Sequence, residues 1–281
     1  MNAFPRLLAI AALLAPAPAA ADSATFGRRK AAVGDAIEQS IAITLRLDTT
    51  SRQGEAILDQ ATSEVERRQR RRVTAQALQD GRVVAAEVRF FEAASTHNGA
   101  TATEPVADKS YRCVREGEKL LVTNAEGVVP PLDEYALVVR AMETLGTASP
   151  LAEFLAGRTV AIGERLELPA ELAQRTLGFD KKIGTVDSFA LTLNEIGAVE
   201  GRRVARFAAT IEASGGGTGQ MGLFIDGTFD IEEATCRVVA AELSGPIAMS
   251  GLRGVGVVAH QLDGRGRMQM ELTARYRDAV R

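Results

Sequence analysis

Apolar residues occupy every second position in several parts of this chain. Ile41, Ile43, Leu45 and Leu47 alternate with mostly polar residues, so one face of this segment is apolar. Successive side chains of a β-strand point to opposite sides, and this period of two therefore predicts a half-buried strand. The same alternation recurs in residues 84–90, 189–193, 205–211 and 268–276.

Turn dipeptides lie between the apolar runs. They are Asp80-Gly81, Glu200-Gly201, Asp226-Gly227 and Asp263-Gly264. Each pair can supply the positive backbone φ angles that a tight hairpin turn needs. The sequence therefore predicts antiparallel hairpins that follow one another along the chain.

The middle of the chain has helical spacing instead. After Pro130-Pro131, apolar residues recur three or four positions apart as far as Met142, and Gly146 follows, which predicts an amphipathic helix. Ser149-Pro150 predicts a second, shorter helix, because serine caps helices and proline suits the first turn. A third candidate helix runs from residue 169 to about residue 177.

Strands before, helices between and strands after predict an α+β, β-rich fold. In this fold a curved antiparallel sheet built of hairpins has two or three short helices, from mid-chain, covering one face. We expect residues 22–281 to form a single β-rich domain. Within it, residues 52–72 do not give a clear pattern, and residues 92–110 are small and polar, which predicts a mobile loop.

A weak internal repeat indicates two related halves, about residues 30–128 and 160–281, joined by a helical segment at 131–157. The tetrapeptide at 32–35, Ala-Val-Gly-Asp, recurs at 161–164 as Ala-Ile-Gly-Glu, and the turns at Gly81 and Gly201 have similar flanks. The alternative is that short glycine signals recur in any β protein.

Residues 1–21 have the pattern of a secretory signal peptide. Arg6 precedes an apolar run at 7–15, and small residues at 19–21 precede Asp22. The apolar run is too short to cross a bilayer, so we expect no transmembrane span in the mature chain. The predicted location is periplasmic or extracellular. An oxidising compartment would join Cys113 and Cys236 in a disulfide, unless the two thiols are buried too far apart to bond.

The composition and motifs exclude several kinds of site. The chain has 33 Lys and Arg against 36 Asp and Glu, a net charge of −3, which does not favour nucleic acid as a partner. His97 and His260 stand alone, without the spacing of a metal site. Ser214 lacks the leading glycine of a Gly-x-Ser-x-Gly elbow. The sequence therefore predicts no metal, no cofactor and no catalytic residue.

One tract is strongly basic, and its members are Arg67, Arg68, Arg70, Arg71 and Arg72. It is a candidate basic patch for an anionic membrane surface, lipopolysaccharide phosphates or an acidic partner. At strand spacing, however, the odd-numbered and even-numbered arginines would lie on opposite faces, with Glu64 and Glu66 beside them. This arrangement favours a solvated ribbon.

Several short segments in the last 120 residues resemble exported, β-rich bacterial proteins of uncharacterised families. They are Gly163-Glu164, Glu200-Gly201-Arg202-Arg203, Asp226-Gly227-Thr228, Thr235-Cys236-Arg237 and Leu243-Ser244-Gly245-Pro246. The resemblance implies a periplasmic or secreted location and a sheet-based fold. It brings no catalytic residues.

A curved sheet with amphipathic helices over one face encloses an apolar groove. We therefore expect a non-catalytic binding or carrier module for a lipid or other small amphiphile in the cell envelope, similar in outline to the half-barrels that carry lipoproteins. The candidate groove residues are Tyr135, Val139, Met142 and Phe154. A cavity beneath them would favour this function, and a filled core would favour the alternative, an envelope protein-interaction or scaffolding protein. A hydrolase without a recognisable motif is a further alternative.

Overall fold

The computed structural model describes residues 22–178, 184–215, 219–253 and 259–279. The protein is β-rich, with 66% strand and 10% helix, and its large antiparallel sheet is not closed. The strands of the described residues are β1 (Ser23–Thr25), β2 (Ala36–Gln53), β3 (Ala56–Gln79), β4 (Arg82–His97), β5 (Ala100–Thr103), β6 (Ser110–Glu116), β7 (Lys119–Asn124), β8 (Thr159–Ala161), β9 (Arg165–Glu167), β10 (Thr185–Val199), β11 (Arg202–Gly215), β12 (Gly219–Glu232), β13 (Arg237–Arg253) and β14 (His260–Arg277). The helices are α1 (Leu132–Ala141), α2 (Pro150–Leu155) and α3 (Ala170–Leu177).

The large sheet consists of two runs of hairpins that meet at its centre. Its strand order is β7-β6-β4-β3-β2-β14-β13-β12-β11-β10-β9, with β5 paired to β4, while β1 and β8 form a separate pair. The first long strand, β2, pairs with the last, β14, from Arg52 opposite Gln261 to Ala36 opposite Arg277. The first run therefore extends outward from the centre, and the second returns to it.

The three predicted helices are confirmed, and they lie towards the outer ends of the sheet. Ser149 Oγ accepts a hydrogen bond from the backbone N–H of Ala152 at the start of α2, and Gly178 ends α3 with a φ of 60°. Helix α1 contacts β7, and α3 contacts β10 and α2. The buried cores beneath the helices thus consist mainly of side chains from the outer strands.

Two clusters of buried side chains correspond to these two groups of helices. The β4 core packs Val138 of α1 and Met142, which follows the helix, against residues of β4, β6 and β7, among them Val88, Phe90, Tyr111, Cys113 and Val122. The β10 core packs Leu151, Phe154 and Leu155 of α2 and Ala173 of α3 against residues of β10 to β13, among them Leu191, Phe207, Ile225, Ala241 and Leu243.

Two of the four predicted turns are confirmed. Asp80-Gly81 and Glu200-Gly201 have φ angles of 51° and 75°, and of 50° and 76°. The other two predictions were wrong, because Asp226-Gly227 lies inside β12 and Asp263-Gly264 inside β14. A different constraint explains the glycine at 227: a Cβ there would lie 1.9 Å from the backbone oxygen of Glu242 on β13.

Two segments differ from the sequence expectation. Residues 56–79, which include most of the unassigned region, form the single 24-residue strand β3. The predicted loop at 92–110 is largely a hairpin, in which β4 continues to His97 and β5 returns after Asn98-Gly99. Those two residues have φ angles of 48° and 83°, so this turn has the Asn-Gly chemistry that favours tight hairpins.

The recurring tetrapeptides have the same local geometry. Gly34 donates to the carbonyl of Ala75 on β3, and Gly163 donates to the carbonyl of Leu193 on β10. The carboxylates of Asp35 and Glu164 each accept the N–H three residues earlier, at 2.8 and 2.9 Å. A duplication of the two halves nevertheless stays a prediction.

Candidate ligand-binding face

An open apolar strip crosses the middle of the sheet. Its members are Ile41, Ile43, Leu45 and Leu47 of β2, Met268, Met270 and Leu272 of β14, and Ile247 and Met249 of β13. Strand pairing places them on one face, since Ile43 lies opposite Met270 and Met270 lies opposite Leu243 of the β10 core. All nine side chains of the strip are only half-buried.

The strip is open because the helices do not reach it. Helix α1 lies over the β4 core, and α2 and α3 lie over the β10 core, so the strip lies between the two helical layers. The same face is thus covered at both ends and exposed along its middle. The prediction that helices cover one face holds for the outer strands only.

The opposite face of the same strands is polar. Thr44 of β2 lies opposite Gln269 of β14, and Arg46 lies opposite Arg267. These residues alternate with the strip residues along each strand, and Arg46, Arg267 and Gln269 are exposed. The central strands are therefore amphipathic, with the strip as their apolar side.

Glycines allow neighbouring strands to come close beside the strip. A Cβ at Gly245 on β13 would lie 1.8 Å from the backbone oxygen of Phe224, and a Cβ at Gly266 on β14 would lie 1.9 Å from that of Arg46. Glycine inside a strand is typical of a bend or of close backbone approach. A side chain at either position would force the neighbouring strands apart.

The strip has a polar border on β3. Arg67 lies opposite Ile43, Gln69 opposite Ile41, and Arg71 opposite Gln39, so all three face the strip side. Arg67 Nε lies 3.0 Å from Glu104 Oε1, and Nη2 donates to Glu104 Oε2 at 3.1 Å. The Arg67 side chain is 28% exposed, and Glu104 only 11%.

Arg71 connects this border to helix α1 by a hydrogen bond. Its Nη1 donates to the carbonyl oxygen of Ala141 at 2.6 Å, and its Nη2 donates to Gln39 Oε1 at 3.1 Å. Burial, together with the positive charge of Arg67, lowers the pKa of Arg71 to about 10. It therefore stays charged at neutral pH.

The even-numbered arginines of the basic tract lie on the polar face. Arg70 and Arg72 pair with Glu38, and both guanidinium groups lie over the Phe91 ring, 5.1 and 5.3 Å from its centre. Arg68 pairs with Glu66 and is 62% exposed. The structure thus divides the predicted basic patch between two faces, as strand spacing indicated.

The four predicted groove residues do not surround one groove. Met142 belongs to the β4 core and Phe154 to the β10 core, with 4% and 7% exposure. Tyr135 and Val139 line a shallow pocket of about 370 Å³ between α1 and β7, and the Tyr135 hydroxyl donates to the Leu120 carbonyl. Beneath Met142 and Phe154 the structure therefore has filled cores.

The predicted disulfide is not formed, and both cysteines are free and buried. Cys113 on β6 belongs to the β4 core, while Cys236, in the turn between β12 and β13, belongs to the β10 core. Strands β4, β3, β2 and β14 separate them within the sheet. Burial raises the pKa of Cys113 to about 12 and that of Cys236 to about 11.

The described residues give three further facts about possible sites. No group of three or more His, Cys, Asp or Glu side chains among them is placed to hold a metal ion. None of the helices in the described ranges is long and apolar enough to cross a membrane. The predicted signal peptide, residues 1–21, lies outside those ranges.

Comparisons with known proteins find only distant likenesses. No protein-family model matches the sequence, and no curated protein does. A solved structure that describes lipid–protein interactions in lipovitellin is 6% identical, with a TM-score of 0.39. The match covers 90% of this chain and 26% of that one. An outer membrane channel from Pseudomonas putida F1 is 7% identical over 87% of this chain and 96% of that one, with a TM-score of 0.20. Likenesses at this level carry no functional argument.

Proposed function

We propose that the protein is a non-catalytic binding module of the bacterial cell envelope that holds an apolar or amphiphilic molecule on the apolar strip. The observation that supports this function is the row of half-buried Ile, Leu and Met side chains between two helix-covered cores. Exposed apolar patches of this kind mark binding surfaces in soluble proteins.

The length of the strip suits a single acyl chain. Ile41 and Leu47 are six residues apart, which is about 20 Å along a strand. One leaflet of a bilayer has a hydrocarbon layer of roughly 15 Å, half of the whole core. Methionine side chains, as at 268 and 270, adapt to ligands of varied shape.

A titration with a fluorescent long-chain probe tests this function. Ile43→Asn with Met270→Asn places two polar groups in the middle of the strip, and we expect about a tenfold or greater loss of affinity. The matched control is Thr44→Asn with Gln269→Asn, a facing pair on the same two strands but on the polar face. The function is wrong if both double variants bind the probe like the wild type.

A second candidate function, protein interaction or scaffolding, is favoured by two observations. The cores beneath the helices are filled, which is the condition expected for a scaffold. In addition, Val128, Val129 and Leu132 are 60%, 66% and 83% exposed just before and at the start of α1. Leu132→Ser with Val129→Ser would weaken capture of a partner from envelope extract under this function, while long-chain probe binding would remain unchanged.

A further inference from the structure

The ligand-facing side of the central strands has no charged side chain over the stretch that contains the strip. Over this stretch, the residues of β2, β14 and β13 that face this side are Ile37, Gln39, Ile41, Ile43, Leu45, Leu47, Thr49 and Ser51; Leu262, Gly264, Gly266, Met268, Met270, Leu272, Ala274 and Tyr276; and Ala241, Leu243, Gly245, Ile247, Met249 and Gly251. None of these side chains is charged. Over this stretch, a charge that a bound molecule meets must therefore come from the border.

The border on β3 has an excess of positive charge. Arg67 and Arg71 both face the strip side, and Glu104 is the carboxylate paired with Arg67. Two guanidinium groups and one carboxylate leave a net charge of +1 beside an apolar surface. The two arginines also repel one another, which is one cause of the lowered pKa of Arg71. A second anion at this border would relieve that repulsion.

Arg67 has the capacity and the position to bind such an anion. It lies directly across from Ile43, in the middle of the strip, and its side chain is 28% exposed. Its Nε and Nη2 atoms face Glu104, whereas Nη1 makes no hydrogen bond to any described residue. The planar guanidinium group matches carboxylate and phosphate oxygens in a bidentate geometry.

We propose that the ligand of the apolar strip is an anionic amphiphile, a single acyl chain with a carboxylate or phosphate head, and that Arg67 binds the head. This inference rests on the proposed function. The chain lies along Ile43, Met270 and their neighbours, and the head lies at the β3 border, where it shares Arg67 with Glu104.

The experiment compares ligands that differ only in head charge. Oleate and methyl oleate are titrated into the full-length mature protein, with oleoyl lysophosphatidic acid as the phosphate arm. We expect the wild type to prefer oleate over its ester about tenfold, the scale of one charge-assisted hydrogen bond. Tighter binding of oleate would assign a carboxylate head, and tighter binding of the lysophosphatidic acid would assign a phosphate head; either result supports the inference.

Three variants locate the effect at the border. Arg67→Gln should abolish the preference, because it should weaken oleate binding far more than methyl oleate binding. Glu104→Gln should act in the opposite direction and increase the preference, because Arg67 loses its competing carboxylate. The double variant Arg67→Gln, Glu104→Gln removes both charges, so it tests the loss of preference without leaving Glu104 unpaired. Arg46→Gln, on the polar face of β2, is the matched control and should keep the preference.

The outcomes separate this inference from the function on which it rests. Equal binding of oleate and methyl oleate by the wild type would overturn the inference alone, as would a preference that survives in the double variant. If neither ligand binds, the proposed function fails and the inference fails with it. High salt should reduce the preference without changing methyl oleate binding.

Discussion

Arg71 in the middle of β3 donates a 2.6 Å hydrogen bond from Nη1 to the carbonyl oxygen of Ala141, the last residue of α1. The same guanidinium group donates to Gln39 Oε1 on the neighbouring strand β2. One side chain thus connects the end of a helix, the border strand and the floor of the apolar strip. It links the end of α1 to the border of the strip.

Replacing Arg71 should therefore destabilise the fold. Arg71→Gln leaves the Ala141 carbonyl and the Gln39 side chain without their donor, and we expect a loss of about 2 kcal/mol in the free energy of unfolding, measured by urea denaturation. Arg68→Gln is the control, because Arg68 is exposed on the polar face, and its effect should stay within about 0.5 kcal/mol. If the two substitutions lower the free energy of unfolding equally, the hydrogen bonds of Arg71 do not stabilise the fold.

The two cysteines should behave as unreactive thiols. Only the thiolate reacts readily, and burial raises both pKa values to about 11 or 12, so the folded protein should not be modified by a thiol reagent at pH 8. Denaturation without reductant should then reveal two titratable thiols. If no thiol is titrated, the two cysteines form the disulfide that the sequence predicted, and the separation of the two cores is wrong.

Local features of this fold were predictable from the sequence because each depends on near neighbours in the chain. Alternation at 41–47 and 268–276 predicted β2 and β14, and Ser149-Pro150 predicted α2. Their burial was not predictable in the same way. Both apolar rows had the pattern of a covered face, and they remain half-buried because β2 pairs with β14 at the centre of the sheet, between the two cores that the helices cover.

Contacts between distant parts of the chain account for the remaining errors. The disulfide required Cys113 and Cys236 to be adjacent, which depends on the order of strands in the sheet. Asp226-Gly227 has the composition of a turn. Here, however, glycine is needed because the backbone of β13 lies too close for a side chain at this position. The signal for one missed feature was present, since Asn98-Gly99 is a strong hairpin dipeptide within the predicted loop.

The glycine at 245 should not tolerate a side chain. The new Cβ of Gly245→Ala would lie 1.8 Å from the backbone oxygen of Phe224, so β12 and β13 would have to separate. We expect a loss of at least about 2 kcal/mol in the free energy of unfolding and a lower thermal midpoint. Gly222→Ala on β12 is the matched control, because nothing lies within 4 Å of its Cβ position. If alanine at 245 is as well tolerated as alanine at 222, these strands are not in close contact.

Asp35 should make the fold sensitive to acid. Although burial would raise its pKa, hydrogen bonds from Arg29 and from the backbone N–H groups of Ala279 and Ala32 hold the pKa of this carboxyl well below its ordinary value. The unfolded chain therefore binds a proton more readily than the folded one. The stabilisation is complete above pH 4 or so, and it is lost as the pH falls through the lower folded value.

Asp35→Asn should lower the stability of the fold at neutral pH and should also make that stability less sensitive to acid. At pH 7 we expect a loss of roughly 2 kcal/mol, because Arg29 loses the nearer of its two carboxylate partners and keeps only Asp278. Between pH 4 and pH 2 the variant should lose less stability than the wild type, as measured by urea denaturation at each pH. Asp226→Asn, at an exposed position on β12, controls for the loss of one carboxylate. Parallel curves for the wild type and Asp35→Asn would mean that Arg29 does not hold the Asp35 carboxylate in solution.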